Sequence, residues 1–317
     1  KVKTVEDALV ALQGCSFQGR NLGRALEVLT NMVNEPDCLK VLTLSGAMVP
    51  AGMEEIICQA IENKIVDTIV STGANIIHSL ANSFSSSKGQ AHYIGSHRVD
   101  DASLYKHRIN RVYDTFIPET EYINAENSIK EIVEKKFEPG EKHVLLPSEL
   151  FQLLGKHVSG RSFLNVAQKH DVPIFCGATS DSELGLDLMV FRTTDNYQIV
   201  LDELGDVKKF GDLISAHSNH GTILLGGGVP RNWAQQIFPY LDQLNQDESK
   251  SYKGYKYSVR FHSAFPQDGG LSGCTISESI SWGKYDVEAT AQSVWGDSTV
   301  YFPLIMTALF QRIAKQK

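Results

Sequence analysis

The sequence predicts an α/β fold: a doubly wound, mostly parallel, Rossmann-like sheet with helices on both faces, in a single domain over residues 1–317. Three observations carry that expectation. Short apolar runs rich in β-branched residues recur along the chain, helical patterns separate them, and each run ends in small or polar residues. With 317 residues, 42% of them hydrophobic, the chain can bury a sizeable core. There is no internal repeat. Two polar stretches, NSFSSSKGQ (82–90) and LNQDESKSYKG (244–254), are too short for interdomain linkers and read as surface loops.

Taken in order, KVKTVEDALVALQG reads as an amphipathic helix rather than a signal peptide. KVLTL (40–44) is the first strand, and AGMEEIICQAIENK (51–64) is the helix returning from it. Further strands are expected in VDTIVST (66–72), VPIFCGA (172–178), GTILLGGG (221–228) and YSVRFHSA (257–264). The last helix, PLIMTALFQRIAKQK (303–317), is expected to open on Pro303 in its first turn and to close with cations, which suit a helix C-terminus. Open parallel sheets bind ligands beyond the carboxyl ends of their strands. That rule makes candidate sites of SGAMVPAG, with Ser45 and Gly46; STGAN, with Thr72 and Gly73; GATSDSELG; GGGVPRN; and SAFPQDGGLSG, with Ser263.

Composition narrows the chemistry. A net charge of −7 argues against nucleic acid as a partner and suits cationic ligands. Five scattered cysteines without CxxC spacing indicate neither a disulfide framework nor a zinc site, and the histidines show no HxxxH or HExxH pattern, so no metal is expected. His92, His97, His107, His143, His157 and His170 read as members of loops or polar helix faces. No apolar run approaches the roughly 20 residues that span a bilayer. A soluble, cytoplasmic protein is the expectation.

Within the loops, Gly226, Gly227 and Gly228 follow an apolar strand, where glycines allow either close approach to a phosphate or ribose or merely a tight turn. Asp181, Glu183 and Asp187 share one strand-end loop, where a carboxylate can accept both hydroxyls of a ribose or pair with an ammonium; helix capping by Asp181 or Ser182 is the alternative. Asp268 stands among three glycines, more flexibility than a structural turn usually needs. His78 follows STGANII closely enough to turn back toward the strand end, or to be a satisfied half-buried histidine. In ESISWGKYDVEAT (278–290), Lys284 sits between Trp282 and a run of acids. It is either a surface lysine paired with Asp286 or Glu288, or an amine desolvated against Trp282, with Glu278 to anchor a cation.

The stretches GGLSGCTISESISWGKYDVEA and WGDSTVYFPL resemble the C-terminal signature of deoxyhypusine synthases, particularly the archaeal and bacterial branch. SFQGRNLGRALE, LSGAMVPAGMEEII, VDTIVSTGANIIH, INRVYDTFIP, VPIFCGATSDSELGLDL and ILLGGGVPRN fall in the family's order and extend the resemblance over nearly the whole chain. It implies an NAD-dependent aminobutyl transferase. Such an enzyme oxidises spermidine, captures the four-carbon group on a lysine as diaminopropane leaves, and passes it to an acceptor amine with return of the hydride. The acceptor is a translation-factor lysine or, in a homospermidine-forming relative, the free diamine putrescine; a silent NAD-binding partner subunit is a third reading. By position the resemblance makes Lys284 the imine-forming lysine. It places Trp282, Glu278, Asn232 and Asp187 at the polyamine. It places Ser45, Gly46, Thr72, Gly73, His78, Asp181, Gly226, Gly227, Gly228, Ser263, Asp268, Gly269, Gly296 and Asp297 at NAD. It further implies a homotetramer with shared active sites, and a chain starting after the N-terminal gating extension of the eukaryotic members.

The departures concentrate in the polyamine pocket. Leu186 and Leu271 stand where eukaryotic members place acids, and Asn232 stands where they place a histidine. His78-Ser79 replaces a common His-Asp pair.

Overall fold

The computed structural model describes residues 2–87, 89–245 and 252–316. Its strands, in chain order, are β1 (Cys38–Leu44), β2 (Thr68–Ser71), β3 (Tyr93–Ile94), β4 (Ile109–Val112), β5 (Thr115–Pro118), β6 (Lys142–Leu145), β7 (Ile174–Cys176), β8 (Gln198–Leu201), β9 (Asn219–Leu225), β10 (Tyr255–His262) and β11 (Tyr285–Trp295). The chain divides into two compact units. One comprises Lys1–Ser45, Ala60–Val70 and Val207–Lys317, the other Gly46–Gln59 and Ser71–Asp206.

In the first unit β11, β10, β9, β1 and β2 lie side by side in that order. β1 pairs in parallel with β9, β9 with β10, and β10 with β11. Successive residues of a strand face opposite sides, and nearly every residue of β1 and β9 is buried, so helices cover both faces. The helix Phe17–Asn34 is one of them: it contacts β1, β10 and β11, and buries Leu22, Ala25, Leu26, Leu29 and Met32 at three- and four-residue intervals. The helix Gly228–Gln235 packs on β1. Strand order reverses between β1 and β9, so their carboxyl ends flank a topological switch point.

The second unit has a parallel pair, β6 with β8, and a three-stranded antiparallel sheet ordered β3-β5-β4. Its helix Gly73–Phe84 starts two residues after β2 and contacts the helices Glu119–Lys136 and Glu183–Thr194.

Three expectations need correction. The last helix is Ser298–Gln316, and Pro303 lies inside it rather than in its first turn. The reason is a start signal that outweighs the proline: Asp297 Oδ1 accepts the backbone N–H of Thr299 at 2.8 Å and its hydroxyl at 2.9 Å, forming the opening turn upstream. Asn82–Phe84 belong to a helix rather than a loop, and residues 246–251 of the polar stretch 244–254 lie outside the described residues. His143 sits in β6 against Phe137, at 4.9 Å between ring centres. No helix among the described residues is long and apolar enough to cross a membrane.

Candidate active site

Lys284 ends the tight turn that follows the short helix Ile276–Ile280. Gly283 adopts the left-handed conformation there, and Lys284 donates its backbone N–H to Ser279 O. The turn carries the side chain inward, so Lys284 is only 6% exposed and its Nζ donates to Asn232 Oδ1 at 2.8 Å. Asp286 instead accepts the backbone N–H of Glu288, so the surface ion pair is not formed. The Trp282 ring lies 5.6 Å from Nζ, within cation–π reach, with 63% of the residue exposed. Trp282 thus lines the cleft beside the amine while remaining largely exposed itself. Glu278 donates its backbone N–H to Thr275 Oγ1, the N-cap, and lines the same cleft. That cleft holds about 300 Å³ and is lined by Asn232, Leu271, Cys274, Glu278, Trp282 and Lys284, among others.

Burial holds the Lys284 ammonium below its ordinary pKa, and the charge of Arg231 adds to the effect, while Cys274 and Glu278 act the other way. A lysine with its neutral form favoured is a better nucleophile. The helix bearing Asn232 is pinned beside it by Gln235 Nε2 donating to the Tyr285 hydroxyl at 2.7 Å and by the Tyr255 hydroxyl donating to Ala234 O at 2.9 Å.

The glycine turn after β9 lies at the switch point. Ser45, after β1, gives its backbone N–H to Leu225 O and its hydroxyl to Gly227 O. Gly226 and Gly228 have positive φ, and a Cβ on Gly227 would lie 2.9 Å from Ser272 Cα. Asp268 accepts the N–H of Gly270 at 2.7 Å, Gly269 has positive φ and lines the lysine cleft, and Ser263 is exposed. Gly296 precedes the capping Asp297, and a Cβ on it would lie 2.3 Å from the Tyr301 ring.

The second unit assembles its own cluster. Thr72 caps the helix Gly73–Phe84 and donates its hydroxyl to Gly46 O at 3.2 Å. Asn75 donates to Gly46 O and to Thr72 Oγ1, both at 3.0 Å, and accepts the Val49 N–H. A Cβ on Gly73 would lie 2.5 Å from Ser182 Oγ, so the strand-end segments around 73 and 182 are in close contact. Ser182, not Asp181, caps the next helix, which leaves the exposed Asp181 carboxylate without a hydrogen bond among the described residues. His78 is buried. Asp187 is also buried, with Oδ2 unpartnered; burial, then Glu126 and Glu183, push its carboxyl up to about 7. Leu186, one position earlier on the same helix, faces outward.

The family profile described as deoxyhypusine synthase matches residues 8–309. The chain belongs to the deoxyhypusine synthase family. It is 35% identical to probable deoxyhypusine synthase 2 of Methanosarcina mazei over 317 residues, covering 98% of this chain and 88% of that one. With the deoxyhypusine synthase-like protein of Chlorobaculum parvum it shares 33% identity, covering 92% and 81%. The fold is similar to a solved chain from Entamoeba histolytica assigned to deoxyhypusine synthase, with TM-score 0.64, 17% identity and coverage of 98% and 94%. The family is one of transferases.

In this deoxyhypusine synthase family chain, Lys284, Asn232, Glu278, Trp282 and Gly269 come together in one cleft of the first unit, and Gly46, Thr72 and Gly73 in one cluster of the second. Sequence reasoning missed the groups that hold them. Arg260 donates to the carbonyls of Gly226, Ser272 and Cys274, tying the glycine turn to the loop before the lysine stretch, and Arg231 donates to the same Cys274 carbonyl at 2.8 Å. Burial, with Arg231 alongside, pushes Arg260 down to about 10. A charge in the middle of an apolar strand run, YSVRFHSA, was the available signal for Arg260.

Proposed function

We propose that the protein is an NAD-dependent aminobutyl transferase that moves a four-carbon amine from spermidine, through an imine on Lys284, to an acceptor amine. The observation that carries this reading is a buried lysine in an open, partly acidic cleft, held by a neutral partner. A structural lysine would be expected to face a carboxylate instead. Neutral Lys284 adds to the carbon of the oxidised donor, its proton passes to the departing nitrogen, and the carbon–nitrogen bond to diaminopropane breaks. The four-carbon group is left on Nζ as an imine. Glu278 anchors the distal ammonium of the donor, and Trp282 offers its ring face to the same cation. An acceptor amine then displaces Nζ by the reverse exchange.

NAD, when bound, supplies the oxidation of the donor's carbon–nitrogen bond and its reversal after transfer. The residues present fit that group within each unit. In the second, Asp181 keeps a carboxylate that capping does not use, and Gly73, next to Thr72, forms a tight edge where no Cβ fits. In the first, Gly226–Gly228 form a turn at the switch point where side chains are excluded. The test is incubation with NAD, spermidine and putrescine, read by mass spectrometry, with a translation-factor lysine substrate in parallel. Transfer to either acceptor without stoichiometric NADH build-up supports the reading. Steady NADH accumulation with acceptor supplied contradicts it.

A further inference from the structure

We propose that His92 is a positioning residue that fixes which nitrogen of His78 carries the proton, leaving His78 Nε2 as a bare acceptor for a ligand N–H. The inference rests on the reading that the Thr72 end of this helix holds a ligand. It follows from the direction of four hydrogen bonds inside the second unit. Asn82 Oδ1 accepts the backbone N–H of Ala91 at 3.0 Å, and Asn82 Nδ2 donates to Glu54 Oε2 at 3.2 Å, so the orientation of the amide is set. The same Oδ1 lies 2.7 Å from His92 Nδ1, which must therefore be the donor. In a neutral imidazole the other nitrogen then has no proton, so His92 Nε2 is an acceptor. The atom 3.0 Å from it is His78 Nδ1, which must be protonated, and Nε2 of a neutral His78 is left bare.

Both rings are held neutral by their surroundings. Burial, and then His92 beside it, push His78 down to about 3, and burial pushes His92 down to about 4. Tyr122 Oη, 3.4 Å from His78 Nδ1, is a second, weaker neighbour of the same proton. The base of the chain is firmly anchored: Glu54 accepts from Ser79 Oγ and from the Phe163 backbone N–H at 3.1 Å as well as from Asn82. Asn82 and His78 sit on one helix four residues apart, so the chain returns to the face from which it starts.

The ligand donor can be a carboxamide, as NAD carries, or an ammonium, as a polyamine carries. Two-bond proton–nitrogen correlation spectra of histidine-labelled protein, with His78 assigned from His78→Gln, report the tautomer without any turnover. The Nδ1–H form of His78 at neutral pH is expected; the Nε2–H form or an imidazolium overturns the proposal. Titration with NAD alone and spermidine alone then tells which donor moves the Nε2 resonance, and movement by neither overturns the acceptor role. His92→Leu should raise KM for the ligand that moves that resonance about tenfold with little change in kcat, and His92→Gln, whose amide can replace both hydrogen bonds, should restore it. Unchanged KM in a folded His92→Leu protein contradicts the proposal. Absence of aminobutyl transfer by the wild type, with the tautomer as expected, would refute the proposed activity and not this arrangement.

Discussion

Nζ of Lys284 donates to Oδ1 of Asn232, a neutral acceptor, across 2.8 Å in a cleft where burial and Arg231 both disfavour the ammonium. The amide satisfies one N–H of the amine without adding a charge that would fix the proton there. Because the folded-state pKa is lowered, the reactive neutral fraction grows as pH rises through that lowered value, below the ordinary range for lysine.

Asn232→Asp reverses this. A carboxylate beside Nζ raises the pKa of Lys284, so the rising limb of kcat against pH should move to higher pH by about one unit or more. A limb that stays in place in a folded variant would show that Lys284 is not the group being titrated.

The fold was legible because it rests on repeated local signals: buried β-branched strands, helices between them, and glycines at strand ends. The lysine stretch was legible because it sets an acid, an aromatic ring and an amine, Glu278, Trp282 and Lys284, close together in sequence, a combination suited to binding a cation. What supports the site was not. The two bonds pinning the Asn232 helix, Gln235 to Tyr285 and Tyr255 to Ala234, join residues far apart in sequence and depend on how the helix packs against β10 and β11. His92 read as a loop histidine, since its partners Asn82 and His78 reach it only after the chain folds back. Nor does Lys284 follow the strand-end rule: it precedes β11, and only the helix Gly228–Gln235 running back along the sheet brings Asn232 to it. The Pro303 expectation failed because a proline at a plausible helix start conceals an earlier cap at Asp297.

Gly73→Ala probes the close contact at the second unit's strand ends. The new Cβ would meet Ser182 Oγ and Cβ at 2.5 and 2.6 Å, displacing the side chain that caps the helix Glu183–Thr194. Loss of that cap should cost about 1 kcal/mol and be visible as a lowered Tm, with weaker NAD binding by calorimetry. A variant with unchanged Tm and affinity would show that the glycine is not required there.

Asp187 links pH to stability. Its folded pKa, about 7, lies above the ordinary value of 3.8, so between these the native state holds the extra proton, and stability falls as pH rises through that window. Asp187→Asn removes the penalty. Urea melts should show the variant gaining on the order of 2 kcal/mol over wild type at pH 8 relative to pH 4.5. The same difference at both pH values would refute the raised pKa.

The most direct measurement is borohydride reduction of the enzyme during turnover with NAD and labelled spermidine, followed by peptide mapping. Label is predicted on the peptide containing Lys284, carried as a secondary amine on Nζ. Lys284→Arg, whose guanidinium stays protonated and forms no imine, should show neither label nor transfer while still binding NAD. Label on a peptide lacking Lys284, or full transfer by Lys284→Arg, would contradict the account.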